Sequence, residues 1–252
     1  MVTKLSLICT AYNSEQYLHQ FKQMMKEISH LFDEVIIVDD CSTDGSFNDL
    51  RDYANKFNFL IYQTDSNTGR PSTPRNIGIQ KSSNSRVVFL DIDDLLPKTY
   101  IKFLTQIDIN DYSIYSGTKL AVPLEKYNFS YNCNFQKYKK ITLENFNSKN
   151  LICFSGSSIN KNILKGLQFK NTPLEDHIFW REFIKNNTNM DVVKFLDVPI
   201  GYSQVLSLSP IKTKQIARIY KMIGISNMPM YFINTMWLRL MELNLKKRYY
   251  KS

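Results

Sequence analysis

Three carboxylates fall within four positions at Asp91-Ile92-Asp93-Asp94, directly after the run Arg86-Val87-Val88-Phe89-Leu90. Acids this close repel one another unless a cation sits among them. An oxygen-only donor set suits Mg²⁺ or Mn²⁺ better than a softer metal. A second reading is open at this point: Asp91 caps a helix while Asp93 and Asp94 face solvent, because Asp is common at caps and turns. Two further acidic pairs stand elsewhere, Asp39-Asp40 after Glu34-Val35-Ile36-Ile37-Val38, and Glu175-Asp176 at the head of an apolar, helix-like stretch. An acid in the last position can serve as a general base, or simply offset the positive end of a helix dipole.

These acids need a frame that brings them together. Val87 to Leu90 read as a strand buried on both faces, so the acids lie at its C-terminal end, where open α/β sheets bind ligands. Leu5 to Cys9 form a similar strand leading into Thr10-Ala11-Tyr12-Asn13, and Glu34 to Val38 a second leading into Asp39-Asp40. Phe59 to Tyr62 make a third. Between them Ser14 is a candidate N-cap for a helix marked by Tyr17, Leu18, Phe21, Met25, Ile28 and Phe32. Other helices are expected through Leu50 and Tyr53, around Pro74 after the loop Asn67 to Thr73, and from Pro97 through Leu104. Regular alternation of strand and helix predicts a Rossmann-like α/β fold, a mostly parallel sheet with helices on both faces. No G-x-G-x-x-G follows the first strand, so a dinucleotide-binding role has no motif behind it. The three polar strand ends would line one crevice.

Past residue 110 the alternation weakens. One or two strands are expected over Tyr112 to Val122, a strand over Leu151 to Ser158, a helix from Leu174 through Ile184, a short strand over Val192 to Phe195, and a loop from Tyr202 to Pro210. Residues 126–150 show little periodicity and are assigned nothing. The organisation expected is one domain over 1–210, divided near residue 110, followed by a different kind of segment over 211–252.

That segment holds nine Lys or Arg against the single acid Glu242, so nearly all of the net charge of +9 lies there. Nucleic-acid binding is disfavoured, because it expects cations spread over a face of the fold and here the crevice is acidic. Ile233, Met236, Trp237, Leu240 and Met241 form an apolar stripe before Lys246-Lys247-Arg248. Such a basic amphipathic helix suits an anionic membrane surface or the groove of a partner protein. Cys9, Cys41, Cys133 and Cys153 have no CxxC spacing, and His19, His30 and His177 complete no metal pattern. A reduced, cytoplasmic setting without zinc is expected. Met1 runs straight into a strand-like stretch, which leaves no room for a signal peptide, and no apolar run reaches the roughly 20 residues of a bilayer span.

Five segments together resemble the family 2 glycosyltransferases, which have the GT-A fold: Leu7 to Asn13, Val35 to Ser46, Pro74-Arg75-Asn76-Ile77-Gly78-Ile79, Phe89 to Asp94, and Glu175 to Trp180. The resemblance covers 5–100 and, less closely, 150–210. It implies a nucleotide-diphosphate-sugar donor, a divalent metal and inverting transfer to a hydroxyl acceptor in a cell-envelope polysaccharide, a teichoic-acid-type polymer or a lipid-linked glycan. UDP is the expected nucleotide by family tendency. Carried onto matching positions, it implies a nucleoside site of Thr10, Tyr12, Asn13, Asp39 and Asp40. Asp91 and Ile92 would lie beside the ribose, with Asp93 and Asp91 at the metal and Asp94 left open. Arg70 and Arg75 are candidates for the diphosphate or for ion pairs, and Asp176 resembles the base, with Glu175 orienting it. His177 reads as a packed or surface residue.

Two departures stand out. Thr10 replaces a frequent Pro, and Gly201 to Ser209 lacks the Arg and His that often lie near the diphosphate. Lys212 or Lys214 would substitute, or binding would lean on the metal with Arg70 and Arg75. The implied location is peripheral, on the cytoplasmic face of the membrane. Rival readings are a nucleotidyltransferase making an activated sugar, told apart by pyrophosphate release, and a catalytically inactive GT-A-like subunit that docks a partner enzyme.

Overall fold

The computed structural model of the protein describes residues 3–108, 110–121, 135, 138–143, 146, 152–187 and 193–203. Within them nine strands build one sheet: β1 Leu5–Ala11, β2 Glu34–Asp39, β3 Leu60–Gln63, β4 Arg86–Asp91, β5 Asp94–Leu95, β6 Ile114–Ala121, β7 Tyr138–Lys140, β8 Ser158–Asn160 and β9 Val193–Ser203. Their order is β3-β2-β1-β4-β8-β6-β9-β5, with β7 also paired to β9. The first four strands are mutually parallel, and β6 and β9 run with them. β8, β7 and β5 run against them, so the sheet is mostly parallel, as expected.

Helices cover both faces: α1 Leu18–Ile28, α2 Ser46–Phe57, α3 Ser72–Lys81, α4 Lys98–Thr105 and α5 Glu175–Asn186. The pleat of β1 sorts them. Leu5, Leu7, Cys9 and Ala11 join one core cluster with residues of α1, α2 and α4, while Ile8 joins the other with Val87, Phe89 and the apolar side of α5. On the Ile8 face α3 lies unusually close to the sheet. A Cβ added at Gly78 would meet Ile8 Cγ2 at 2.2 Å, so only glycine allows that approach. Register then aligns the strand ends: Thr10 lies opposite Asp91, and Ala11 opposite Asp39.

Several local expectations need correcting. Ser14 makes no side-chain cap, and its hydroxyl turns back to bond both the amide and the carbonyl of Tyr12. Leu151 to Ser158 is not the strand, because the chain first turns at Gly156 (φ +89°) before pairing from Ser158. The bonds Gly156 N–H to Phe89 O (2.8 Å) and Phe89 N–H to Ser157 O (3.0 Å) anchor that turn on β4. The short strand at Val193 extends through Tyr202 to Ser203, sustained by partners on β5, β6 and β7. Pro199 is tolerated inside it where the β6 register shifts, since a bulge needs no donor there. β7 lies inside 126–150, the stretch of little periodicity, and its pairing with β9 supplies the order that the pattern lacks.

The helix expected over 211–252, with Lys212 and Lys214, lies outside the described residues, as does most of 122–151. Among the described residues no helix is long and apolar enough to cross a membrane.

Candidate functional site

The aligned ends of β1 and β4 open onto a cavity of about 510 Å³. Thr10, Tyr12, Arg70, Asp91, Ile92 and Asp93 line it, together with Asp40. Tyr12, 47% exposed, offers a ring face suited to stacking on a base. Tyr17, Asn67, Gly69, Pro71 and Pro74 also line the cavity, and of these only Pro74 belongs to a segment singled out in the sequence. Tyr17 reads in the sequence only as the start of an apolar helical stripe. The 3₁₀ turn Glu15–Tyr17 ahead of α1 brings it to the wall instead.

Asp91 and Asp93 occupy the same wall with different surroundings. Both oxygens of Asp91 are engaged: the Thr10 hydroxyl donates to it at 3.0 Å, and Arg75 Nη2 donates at 3.1 and 3.2 Å. Asp93 is exposed. Mg²⁺ or Mn²⁺ commonly takes one or two protein carboxylates and fills its shell with phosphate and water. Among the described residues no cluster of three or more acidic, His or Cys ligands is assembled. Asp91 and Asp93, two carboxylates on one wall, match in number and in oxygen chemistry what such a metal takes from protein. Asp94 does not face solvent: it is buried and begins β5 opposite Ser203.

The arginines divide. Arg70 is half-buried on the cavity wall, where a diphosphate contact is available to it. Arg75 does not line the cavity. Its side chain, 4% exposed, lies between Asp91 and Glu175, donating to Glu175 Oε1 at 2.8 Å. Its guanidinium carbon sits 3.4 Å from the centre of the Phe154 ring. Arg75 is thus an ion-pair partner, though a buried one and not the surface pair that the sequence suggested.

The second acidic pair also divides. Asp39 is fully buried and sits behind the cavity wall. Ser42 bonds it through both amide and hydroxyl, and Gln63 Nε2 donates to it at 3.0 Å. Asp40 reaches the wall, yet its carboxylate is held by the loop: Thr64 Oγ1 donates at 3.1 Å, the Thr68 amide at 3.2 Å and the Thr68 hydroxyl at 2.9 Å. Asp40 thus fastens the loop that carries Arg70. Asn13 lies off this cavity. In a left-handed conformation (φ 44°), its side-chain oxygen accepts from the Thr43 amide at 2.8 Å and pins the 41–44 turn. The turn chemistry that the sequence offers for Asp39-Asp40 is present here.

Glu175 and Asp176 open α5, linked to the cavity acids through Arg75. Burial, then the charges of Glu175 and Asp91, push the Asp176 carboxyl above its ordinary value, with Arg75 and the His177 amide opposing. A raised carboxylate is better matched to accepting a proton near neutral pH. His177 is a packed residue: it is fully buried, stacked 4.6 Å from Phe146, and pushed down to about 4 by burial and Arg181.

Residues 6–167 match the model of glycosyl transferase family 2. Among curated proteins, the chain is 30% identical over 205 residues to poly(ribitol-phosphate) beta-N-acetylglucosaminyltransferase TarP of Staphylococcus aureus, covering 75% of this chain and 60% of that one. It is 35% identical over 101 residues to the TarS enzyme of the same name and species, covering 39% of this chain and 18% of that one. The chain therefore spans less than two thirds of either relative. In structure it resembles S. aureus TarS 1-349 in complex with UDP-GlcNAc (TM-score 0.65, 22% identity, 88% of this chain and 66% of that one). It also resembles the mannosyltransferase PcManGT from Pyrobaculum calidifontis in complex with GDP-Man and Mn²⁺ (TM-score 0.61, 16% identity, 87% and 62%). The matched segment runs through β1, β2 and β4, the strands whose ends line the cavity, and with the GT-A architecture it establishes that this chain belongs to glycosyl transferase family 2.

Proposed function

We propose that the protein is a metal-dependent inverting glycosyltransferase, moving a sugar from a UDP donor onto a hydroxyl of a teichoic-acid-type envelope polymer. One observation carries the reading: the cavity where β1 and β4 end holds an aromatic face, a cation and three acids, and Arg75 ties it to an acidic pair on α5. Tyr12 and Thr10 would hold the nucleoside, Asp91 the ribose side, Arg70 the diphosphate and Asp93 the metal. When bound, Mn²⁺ or Mg²⁺ would offset charge on the departing diphosphate. Asp176 takes the proton from the acceptor hydroxyl as its oxygen bonds to the anomeric carbon. The bond from that carbon to the diphosphate oxygen breaks, and UDP leaves. A single displacement of this kind inverts the anomeric centre. The "beta" products named for TarS and TarP suit inversion of an α-linked donor.

Support for the acceptor class comes from those names alone, and the peripheral membrane location rests on the sequence of 211–252. The test is to incubate the full chain with Mn²⁺, poly(ribitol-phosphate) and either UDP-GlcNAc or UDP-glucose, following UDP release and sugar incorporation. Transfer that is abolished by EDTA and restored by Mn²⁺ is expected. Absence of UDP release from every UDP-sugar tried would overturn the donor assignment, and release without incorporation would overturn the acceptor.

A further inference from the structure

Two segments about a hundred residues apart are stitched together beside the cavity. Asn171 Nδ2 donates to Thr68 O at 3.1 Å, and Ser72 Oγ to Lys170 O at 2.9 Å. Asn76 and Phe169 exchange two bonds, Nδ2 to O at 2.8 Å and N to Oδ1 at 2.9 Å. Arg75 completes the seam through Glu175. One side of the seam carries Arg70 onto the cavity wall, and the other leads directly into α5. Arg75 alone among the described residues bonds both Asp91, on the wall, and Glu175, beside Asp176. It is also shielded from water, with Phe154 against its guanidinium carbon and Phe169 5.5 Å away, so its charge acts through a low local dielectric.

The geometry points to Arg75 as a positioning residue: it fixes Asp91 and Glu175 relative to one another, so that filling the donor cavity orders the head of α5 where Asp176 stands. This rests on the donor reading given above. A single displacement needs donor carbon and base held to a fraction of an ångström, and a planar fork between two carboxylates is a short, stiff way to hold them. Lysine keeps the charge but offers one point instead of a fork.

The test compares the full chain with its Arg75→Lys variant, using UDP and Mn²⁺ as the probe. UDP affinity is measured by calorimetry, and amide hydrogen exchange is followed over 175–180. In the unaltered chain, UDP is expected to slow exchange at the head of α5. In Arg75→Lys, UDP still binds but that protection is lost, and transfer falls by about 10²-fold, the scale of a 1 Å misplacement. Adding Glu175→Gln to Arg75→Lys should cost no more than the worse single change, since residues acting as a unit are not additive. Should Arg75→Lys fail to fold, Glu175→Gln alone severs the ionic half of the link and is expected to lose the same protection. UDP binding without any protection of α5, protection that persists in either variant, or additive losses would each overturn the inference while leaving the donor reading intact. If UDP does not bind the unaltered chain, the donor reading fails and the inference falls with it.

Discussion

Asp91 and Asp93 both line the cavity, Asp91 half-buried and bonded by Thr10 and Arg75, Asp93 exposed. The proposed division of labour can be tested at each. Asp93→Asn is expected to abolish Mn²⁺-dependent binding of a UDP-sugar, read by calorimetry. Asp176→Asn should leave that binding in place and reduce transfer by about 10²–10⁴-fold, the usual contribution of a general base. The environment of Asp176 also gives a stability prediction. Its carboxyl lies higher in the folded chain than in the unfolded one. Between those two values the unfolded chain holds fewer protons, so stability falls as pH rises through the interval, and the cost is complete above the folded-state value. Asp176→Asn should therefore raise the melting temperature at pH 7, with the gain vanishing below about pH 4, the ordinary carboxylate value. A melting gain that is unchanged at about pH 3.5, below that ordinary value, would contradict this origin. At this scale the sequence conveys residue types and not directions. Arg70 and Arg75 are equally basic and five positions apart, yet Arg70 lines the cavity while Arg75 is buried between Asp91 and Glu175.

The elements behave as positioning devices whose local chemistry can be tested one bond at a time. α3 carries Arg75 to its partners because Gly78 lets the helix settle on Ile8. Gly78→Ala should destabilise the chain by about 1–3 kcal/mol through overpacking, seen as a lower urea midpoint at constant m. Pairing it with Ile8→Ala should return part of that loss. Asp40 gathers Thr64 and Thr68 under the loop bearing Arg70. Asp40→Ala leaves those donors unsatisfied at about 1–3 kcal/mol. It should also weaken UDP-sugar binding without changing the response to Mn²⁺. Elements with strong periodicity are legible in the amino-acid sequence: β1, β2, β4, α1 and α5 fall where the apolar patterns place them. Beyond residue 110, β6 falls within the stretch expected for it and β9 begins where expected, but β8 and the length of β9 do not follow from the pattern. β8 and β9 owe their extent to partners brought from afar, and a strand that pairs on several sides needs no alternation of its own.

Across the described residues, the parallel strands build the cavity proposed for the donor, and the mixed half brings α5 and its acids to it. That division is legible because strand ends collect polar residues wherever an open sheet holds a ligand. The basic stretch over 211–252 invites a separate measurement. The full chain is expected to sediment with vesicles containing anionic lipid and to be released by salt, whereas a chain ending at residue 210 should not sediment. Equal sedimentation of the two would remove the membrane assignment. The smallest strand in the sheet bears on the same question. β5 sets Asp94, the neighbour of Asp93, directly opposite Ser203, the last residue of β9. β9, the last described strand, therefore ends beside the acids proposed for the metal. On the proposed membrane reading, an acceptor polymer on the same surface would meet the cavity at a local concentration set by tethering at that strand end rather than by free diffusion.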